Sequence, residues 1–178
     1  MKSHYFHIII SPPLEWREHI VLPATLSKLS AMFKKHTKEY AVATEKGSSL
    51  DFTHFDIWTN FNKGHDSTDI RRKLKTCLKK YSLPPYDLDF NSSIFIKIVT
   101  IKDSDPYNLI GYTFKEEGLK EYQFLDSTLT KFKCSNAEEL IDNKIMVVKE
   151  LKYLAEAKTK HRAIKLKGII REISLTGS

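Results

Sequence analysis

The sequence predicts an α+β fold: an antiparallel sheet with helices packed on it. Three observations predict it. Strand-like and helix-like segments follow one another as strand, helix, hairpin, helix, strand, helix, not in the strict alternation of a parallel fold. The strand-like segments are aromatic and β-branched, and the helical ones carry apolar residues three and four apart. With 178 residues, 41% hydrophobic and 11% aromatic, the chain can bury the core of one domain and carry an appendage.

Tyr5 to Ile10 reads as the first strand, stopped by Pro12 and Pro13. Leu22, Leu26, Leu29 and Phe33 then mark a helix over 23–38. Tyr40 to Glu45 is a short strand, Lys46 to Ser49 a turn, and Asp51 to Thr59 the second strand of the hairpin. Phe52, His54, Asp56 and Trp58 share one face of that strand; Thr53, Phe55 and Ile57 share the other. Asn60 to Asp66 reads as a polar loop. Thr68 to Tyr81 reads as a helix with Ile70, Leu74, Cys77, Leu78 and Tyr81 inward, ended by Pro84 and Pro85. Ser93 to Ile101 is the clearest strand. Asp105-Pro106 opens a short helix expected to run to about residue 117, with Gly118 as its stop. From Asn136 to about Lys160, Leu140, Ile141, Val148, Leu151 and Leu154 fall at helical spacing, a helix of ~37 Å.

Composition excludes several classes. No apolar run approaches the ~18 residues of a membrane span, and the first residues lack a signal-peptide pattern. Two cysteines, Cys77 and Cys134, cannot build a disulfide framework or a cysteine zinc site, so a reducing, intracellular setting is expected. Lys and Arg number 29 against 22 Asp and Glu, a formal charge of +7 that favours an anionic partner such as nucleic acid.

Two constellations carry chemistry. His54 and Asp56 lie two apart on one strand and point the same way, while Glu45 ends the partner strand, opposite a residue just before His54. Cross-strand neighbours lie roughly 5 to 8 Å apart, close enough for the three to converge on one ion. Two carboxylates and an imidazole suit Mg²⁺ or Mn²⁺ better than structural zinc and leave positions for a phosphate oxygen and water. The same residues also suit an ordinary solvent-facing hairpin. Tyr112 and Lys115, at i and i+3, are expected on one helix face. An ammonium beside a phenol favours the phenolate or offsets charge on an attacked phosphate. A core tyrosine with a snorkelling lysine would have the same spacing.

The order of these elements resembles the single-tyrosine Rep endonucleases of rolling-circle replicons and circular single-stranded DNA viruses, within the HUH superfamily. Tyr5-Phe6-His7-Ile8-Ile9-Ile10 loosely matches the family's first motif. Glu45-Lys46-Gly47 followed by Thr53-His54-Phe55-Asp56 matches the second, and Gly111-Tyr112-Thr113-Phe114-Lys115-Glu116-Glu117-Gly118 the third. The family usually has histidine or glutamine where Asp56 stands; aspartate still offers a ligand but adds negative charge near a phosphate.

The resemblance implies a sheet of about five strands in a ferredoxin- or RRM-like arrangement, with residues 1–125 as a nuclease domain and 126–178 as a C-terminal helical appendage. It implies cleavage and rejoining of single-stranded DNA at an origin hairpin or nick site. Glu45, His54 and Asp56 would hold Mn²⁺ or Mg²⁺, Tyr112 would be the nucleophile, and Lys115 would orient it or offset phosphate charge. It also implies action in a host nucleus or a bacterial cytoplasm. A helicase domain is a further expected partner, although no P-loop motif occurs here; the helical tail could instead mediate self-association. Arg71, Arg72, Lys75 and Lys79 on the basic helix, and His65 in the preceding loop, are the residues expected to touch DNA. Trp58 could stack a base or fill the core. The competing expectation is a non-catalytic, basic nucleic-acid-binding module on a similar scaffold.

Overall fold

Strand β1 (Ser3–Ile10) runs through the interior of a five-stranded sheet of order β4-β1-β3-β2-β5, and every pairing is antiparallel. The other strands are β2 (Thr37–Glu45), β3 (His54–His65), β4 (Ile96–Thr100) and β5 (Lys120–Gln123). This is a computed structural model, and it describes residues 1–45, 53–116 and 118–176, with side chains as far as residue 164. The helices are α1 (Arg17–Ile20), α2 (Pro23–His36), α3 (Ser67–Cys77), α4 (Ile110–Thr113), α5 (Asp126–Lys131) and α6 (Ala137–Thr176). The α+β architecture is as the sequence predicts: an open antiparallel sheet flanked by helices, with a long helix at the C-terminal end.

The period-two alternation of the strands sorts side chains onto two faces. On one, Phe6, Ile8, Ile10, Val42, Phe55 and Ile57 meet Leu26, Leu29 and Phe33 of α2 and Ile70 and Leu74 of α3. On the other, Ala41, Ala43 and Trp58 are covered by Tyr107, Ile110, Phe114 and, from α6, Ile141. Sequence dictates which helix goes where. Each of α2 and α3 carries one apolar stripe at three- and four-residue spacing, and that stripe must be buried. Proline at the first position starts α2. A reciprocal capping box starts α3: Asp69 N donates to Asp66 Oδ1 at 2.8 Å, and Asp66 N donates to Asp69 Oδ2 at 3.0 Å.

Several expectations are corrected. Residues 60–66 are not a loop; β3 continues through His65. Its polar residues find partners in the ladder. Asn60 pairs with Glu39 across the strands and donates its Nδ2 to that carboxylate at 3.0 Å. Phe61 is fully buried, and the His65 ring stacks on it at 4.3 Å. The helix expected over Thr68–Tyr81 stops at Cys77, and a 3₁₀ turn follows over Lys79–Ser82. The helix expected to reach residue 117 is a 3₁₀ turn over Pro106–Leu109 followed by α4, which ends at Thr113. Strand β5 and helix α5 had no sequence signal, because each is short and mostly exposed. The turn expected at 46–49 lies outside the described residues, as do Asp51 and Phe52.

The 126–178 appendage divides in two. Thr128 of α5 is buried, as are Leu140, Ile141, Lys144 and Val148 of α6, against the second sheet face and α4. Beyond Val148, every described side chain of α6 is exposed. None of the described helices is long and apolar enough to cross a membrane.

Candidate metal centre

Glu45 closes β2 and lies directly opposite His54, which opens β3. The expected pairing, with a residue just before His54, is off by about one position, because the described ladder runs to the last residue of β2. Asp56, two residues further along, faces Ala43. The three side chains therefore share one sheet face and one end of the hairpin. One ligand atom from each lies within 4.8 Å of the others. His54 Nε2 is 3.0 Å from Glu45 Oε2. Glu45 and Asp56 are buried, at 6% and 4% exposure.

The donor set fits a divalent cation. Two buried carboxylates this close repel each other, and in a low-dielectric setting a cation between them removes that cost. One atom makes the same point alone. Glu45 Oε1 is buried with no hydrogen-bond partner among the described residues. A buried charged oxygen without a partner is rare, and an ion is one of its ordinary explanations. Oxygen-rich ligation with one imidazole suits Mn²⁺ or Mg²⁺.

A fourth side chain belongs here that the sequence did not reveal. His7 of β1 donates its Nε2 hydrogen to Asp56 Oδ1 at 2.8 Å. His7 lies opposite Trp58, on the face shared with Asp56. The bond occupies one lobe of the aspartate and leaves the other for an ion. Ligating carboxylates are commonly held in this way, which fixes their orientation. The signal was in the alternation of β1, but it needed the knowledge that β1 pairs with β3.

Helix α4 lies on the same face. Its Ile110, with Phe114 just beyond, packs on Ala41, Ala43 and Trp58. Alanine at 41 and 43 lets the helix approach closely, and Ala43 is also the residue opposite Asp56. Tyr112 is 39% exposed, between the buried Gly111 and Thr113. Lys115 lies past the end of α4 and not on its face as expected, because the chain leaves helical geometry at Phe114 to bury that ring. Lys115 Nζ is still 5.9 Å from the centre of the Tyr112 ring. The segment that follows is tied to the residue before Glu45: Thr44 N donates to Leu119 O at 2.8 Å, and Leu119 N to Thr44 Oγ1 at 3.0 Å. Gly118 makes this possible, since a Cβ there would fall 1.9 Å from Thr44 O. Its role is this close approach and not the helix stop expected from sequence.

The residues expected to touch DNA are not at this centre. Ile70 and Leu74 fix α3 on the opposite sheet face. Arg71 donates to Phe90 O at 3.0 Å and so anchors a loop. Arg72, Lys75 and Lys79 are exposed. His65 is not in a loop but ends β3: its ring is buried on Phe61, and its Nδ1 hydrogen goes to Lys63 O at 2.7 Å. Trp58 is fully buried, with Nε1 donating to Pro106 O at 2.9 Å, so it is a core residue and stacks no base.

Behind the site, Glu39 is fully buried and fully used. It accepts from Tyr107 Oη at 2.5 Å, Asn60 Nδ2 at 3.0 Å and Leu125 N at 3.2 Å. Burial, and then the bond to Glu39, push the Tyr107 phenol far above its ordinary range, so it stays a donor.

No protein-family model matches the chain, and no curated protein matches it.

Proposed function

We propose that this protein nicks and rejoins single-stranded DNA with the help of a divalent cation, as the Rep endonucleases it resembles do. The observation that carries the proposal is the Glu45–His54–Asp56 group on the sheet face that also bears the helix of Tyr112. The residues divide the work. Glu45, His54 and Asp56 hold the ion, and His7 holds Asp56. Bound there, Mn²⁺ or Mg²⁺ supplies Lewis acidity to a phosphate oxygen. The Tyr112 hydroxyl forms a bond to the scissile phosphorus, and the phosphorus–O3′ bond breaks. The tyrosine proton passes to the departing 3′ oxygen. The products are a free 3′-hydroxyl and a 5′-phosphotyrosine, and a later 3′-hydroxyl reverses the step to join strands. The Lys115 ammonium, close to the Tyr112 ring, offsets negative charge gathering on the phosphate. Such a protein acts where its DNA replicates, in a nucleus or a bacterial cytoplasm.

The test is a denaturing gel of the protein incubated with a broad pool of single-stranded oligonucleotides and Mn²⁺. A covalent protein–DNA band is expected, lost with chelator and lost in Tyr112→Phe. Absence of any adduct across the pool sinks the reading; a band that survives Tyr112→Phe sinks the nucleophile. One observation favours the non-catalytic alternative, a basic surface remote from the metal group. Binding indifferent to chelator and to His54→Ala, with no cleavage, would establish that alternative instead.

A further inference from the structure

Between α2 and α3, on the sheet face away from the metal group, lies an open groove of about 530 Å³. Lys35 and His36 line it from α2, and Arg72 and Lys73 from α3. The half-buried Met32 and Cys77 give it an apolar floor, and no carboxylate is among its lining residues.

Local structure explains half of this charge. The last turn of α2 carries Lys34, Lys35 and His36, where cations complement the helix dipole. It does not explain why Arg72 and Lys73 converge on the same groove from a second helix. Like charges brought together across a helix pair repel, which opposes packing. Among the described residues, Lys35 and Lys73 have no ion-pair partner, and the exposed Arg72 has only Asp69 at 3.9 Å, a weak pair. The groove's positive potential is felt by His36: burial first, then the Lys73 and Lys35 ammonium groups, hold its imidazole below the ordinary histidine range. An anion in the groove would relieve the repulsion.

We infer that the α2–α3 groove is a binding site for the phosphodiester backbone of nucleic acid, separate from the face that carries the metal group. Three features favour this ligand. The groove is concave, so a planar lipid surface cannot enter it. Its cations continue along exposed Lys75 of α3 and exposed Lys79 in the 3₁₀ turn beyond it, a stripe longer than one small anion needs. An apolar floor between cations suits sugar and base edges beside phosphates. The inference does not depend on the nicking reaction, because the groove holds no metal ligand and no candidate nucleophile of that reaction.

The experiment is fluorescence anisotropy of the full chain with a labelled DNA strand and the matching duplex, in chelator, across a salt series. Chelator removes cleavage and the metal centre, so failure here is distinct from failure of the proposed reaction. Lys35→Glu/Lys73→Glu should weaken binding by ~10-fold or more and lower the salt slope by about two, as for two lost phosphate contacts. Lys149→Glu/Lys152→Glu, which makes the same charge change on the exposed part of α6, should do much less. Lys35→Gln/Lys73→Gln should fall between wild type and the reversal, and it guards against a folding defect. Equal losses in both reversal variants, or no DNA binding by wild type in chelator, overturn the inference. So does competition by polyglutamate at the affinity of DNA, which would point to an acidic protein partner.

Discussion

His7 reaches Asp56 through one hydrogen bond, and that bond can be isolated. His7→Ala should weaken Mn²⁺ binding by about 10- to 100-fold, as loss of a ligand's supporting partner usually does. His7→Gln, which keeps a donor, should recover part of the loss. Titration calorimetry reads both; equal affinity in wild type and His7→Ala would remove His7 from the centre. Glu39 offers a contrast, since it supports the fold and not the ion. Glu39→Ala takes the carboxylate acceptor from the buried Tyr107 hydroxyl and Asn60 amide and from the part-buried Leu125 N. Urea unfolding should show a loss of about 3 kcal/mol or more. The hydroxyl also sets a pH dependence. Tyr107 keeps its proton to higher pH folded than unfolded. Its contribution is therefore intact below about pH 10, the ordinary tyrosine value, and is lost as pH rises above it. At this scale the sequence was legible where spacing alone decided: His54 and Asp56, two apart, had to share a face. His7 and Glu39 were opaque, because their partners lie across strands whose adjacency no local pattern specifies.

Two glycines decide how elements meet. A Cβ on Gly111 would sit 2.2 Å from Lys144 O, so α4 and α6 touch backbone to backbone there. Gly111→Ala should push α6 away and strain the buried Lys144, whose Nζ lies 3.4 Å from Asp105 and 3.1 Å from Asn108. A loss of about 1–3 kcal/mol is expected in urea unfolding. A Cβ on Gly118 would instead press on Thr44, beside Glu45. Gly118→Ala should therefore impair Mn²⁺ affinity as well as stability, whereas Gly111→Ala should leave Mn²⁺ affinity within about twofold, because its contact lies on α6. Calorimetry on the two variants separates the roles. Elements with a buried stripe were legible: Leu26, Leu29 and Phe33 announce α2, and Ile70 and Leu74 announce α3. Strand β5 was not, since an edge strand of four residues, with Lys120 and Gln123 exposed, has no apolar period to read. Nor was the far half of β3, where Asn60 and His65 mimic a loop in composition and Asn60 finds its partner, Glu39, only across the sheet.

Across the whole molecule, the covering of the second sheet face ends within α6. That helix runs 40 residues, roughly 60 Å, yet among its described side chains, which reach residue 164, the last buried one is Val148. Its apolar spacing up to Leu154 predicted a helix ending near Lys160, short of the observed end at Thr176, and could not show where packing ends, because Leu151 and Leu154 continue the period while lying exposed. The structure therefore predicts an abrupt boundary in a truncation series. A chain ended after Lys152 keeps Leu140, Ile141, Lys144 and Val148, and should unfold at the same urea midpoint as the full chain. A chain ended after Asn136 uncovers Ile110 and Phe114 of the second face and leaves Asp105 without the Lys144 ammonium. Burial of each large apolar side chain is worth about 1.5–3 kcal/mol, so losing Leu140, Ile141 and Val148 together should remove several kcal/mol. Because α4 carries Tyr112 and is held between the sheet and this part of α6, the shorter chain should also lose adduct formation if the proposed reaction is correct. A short chain as stable as the full one would show that the sheet and α4 form a complete core without α6.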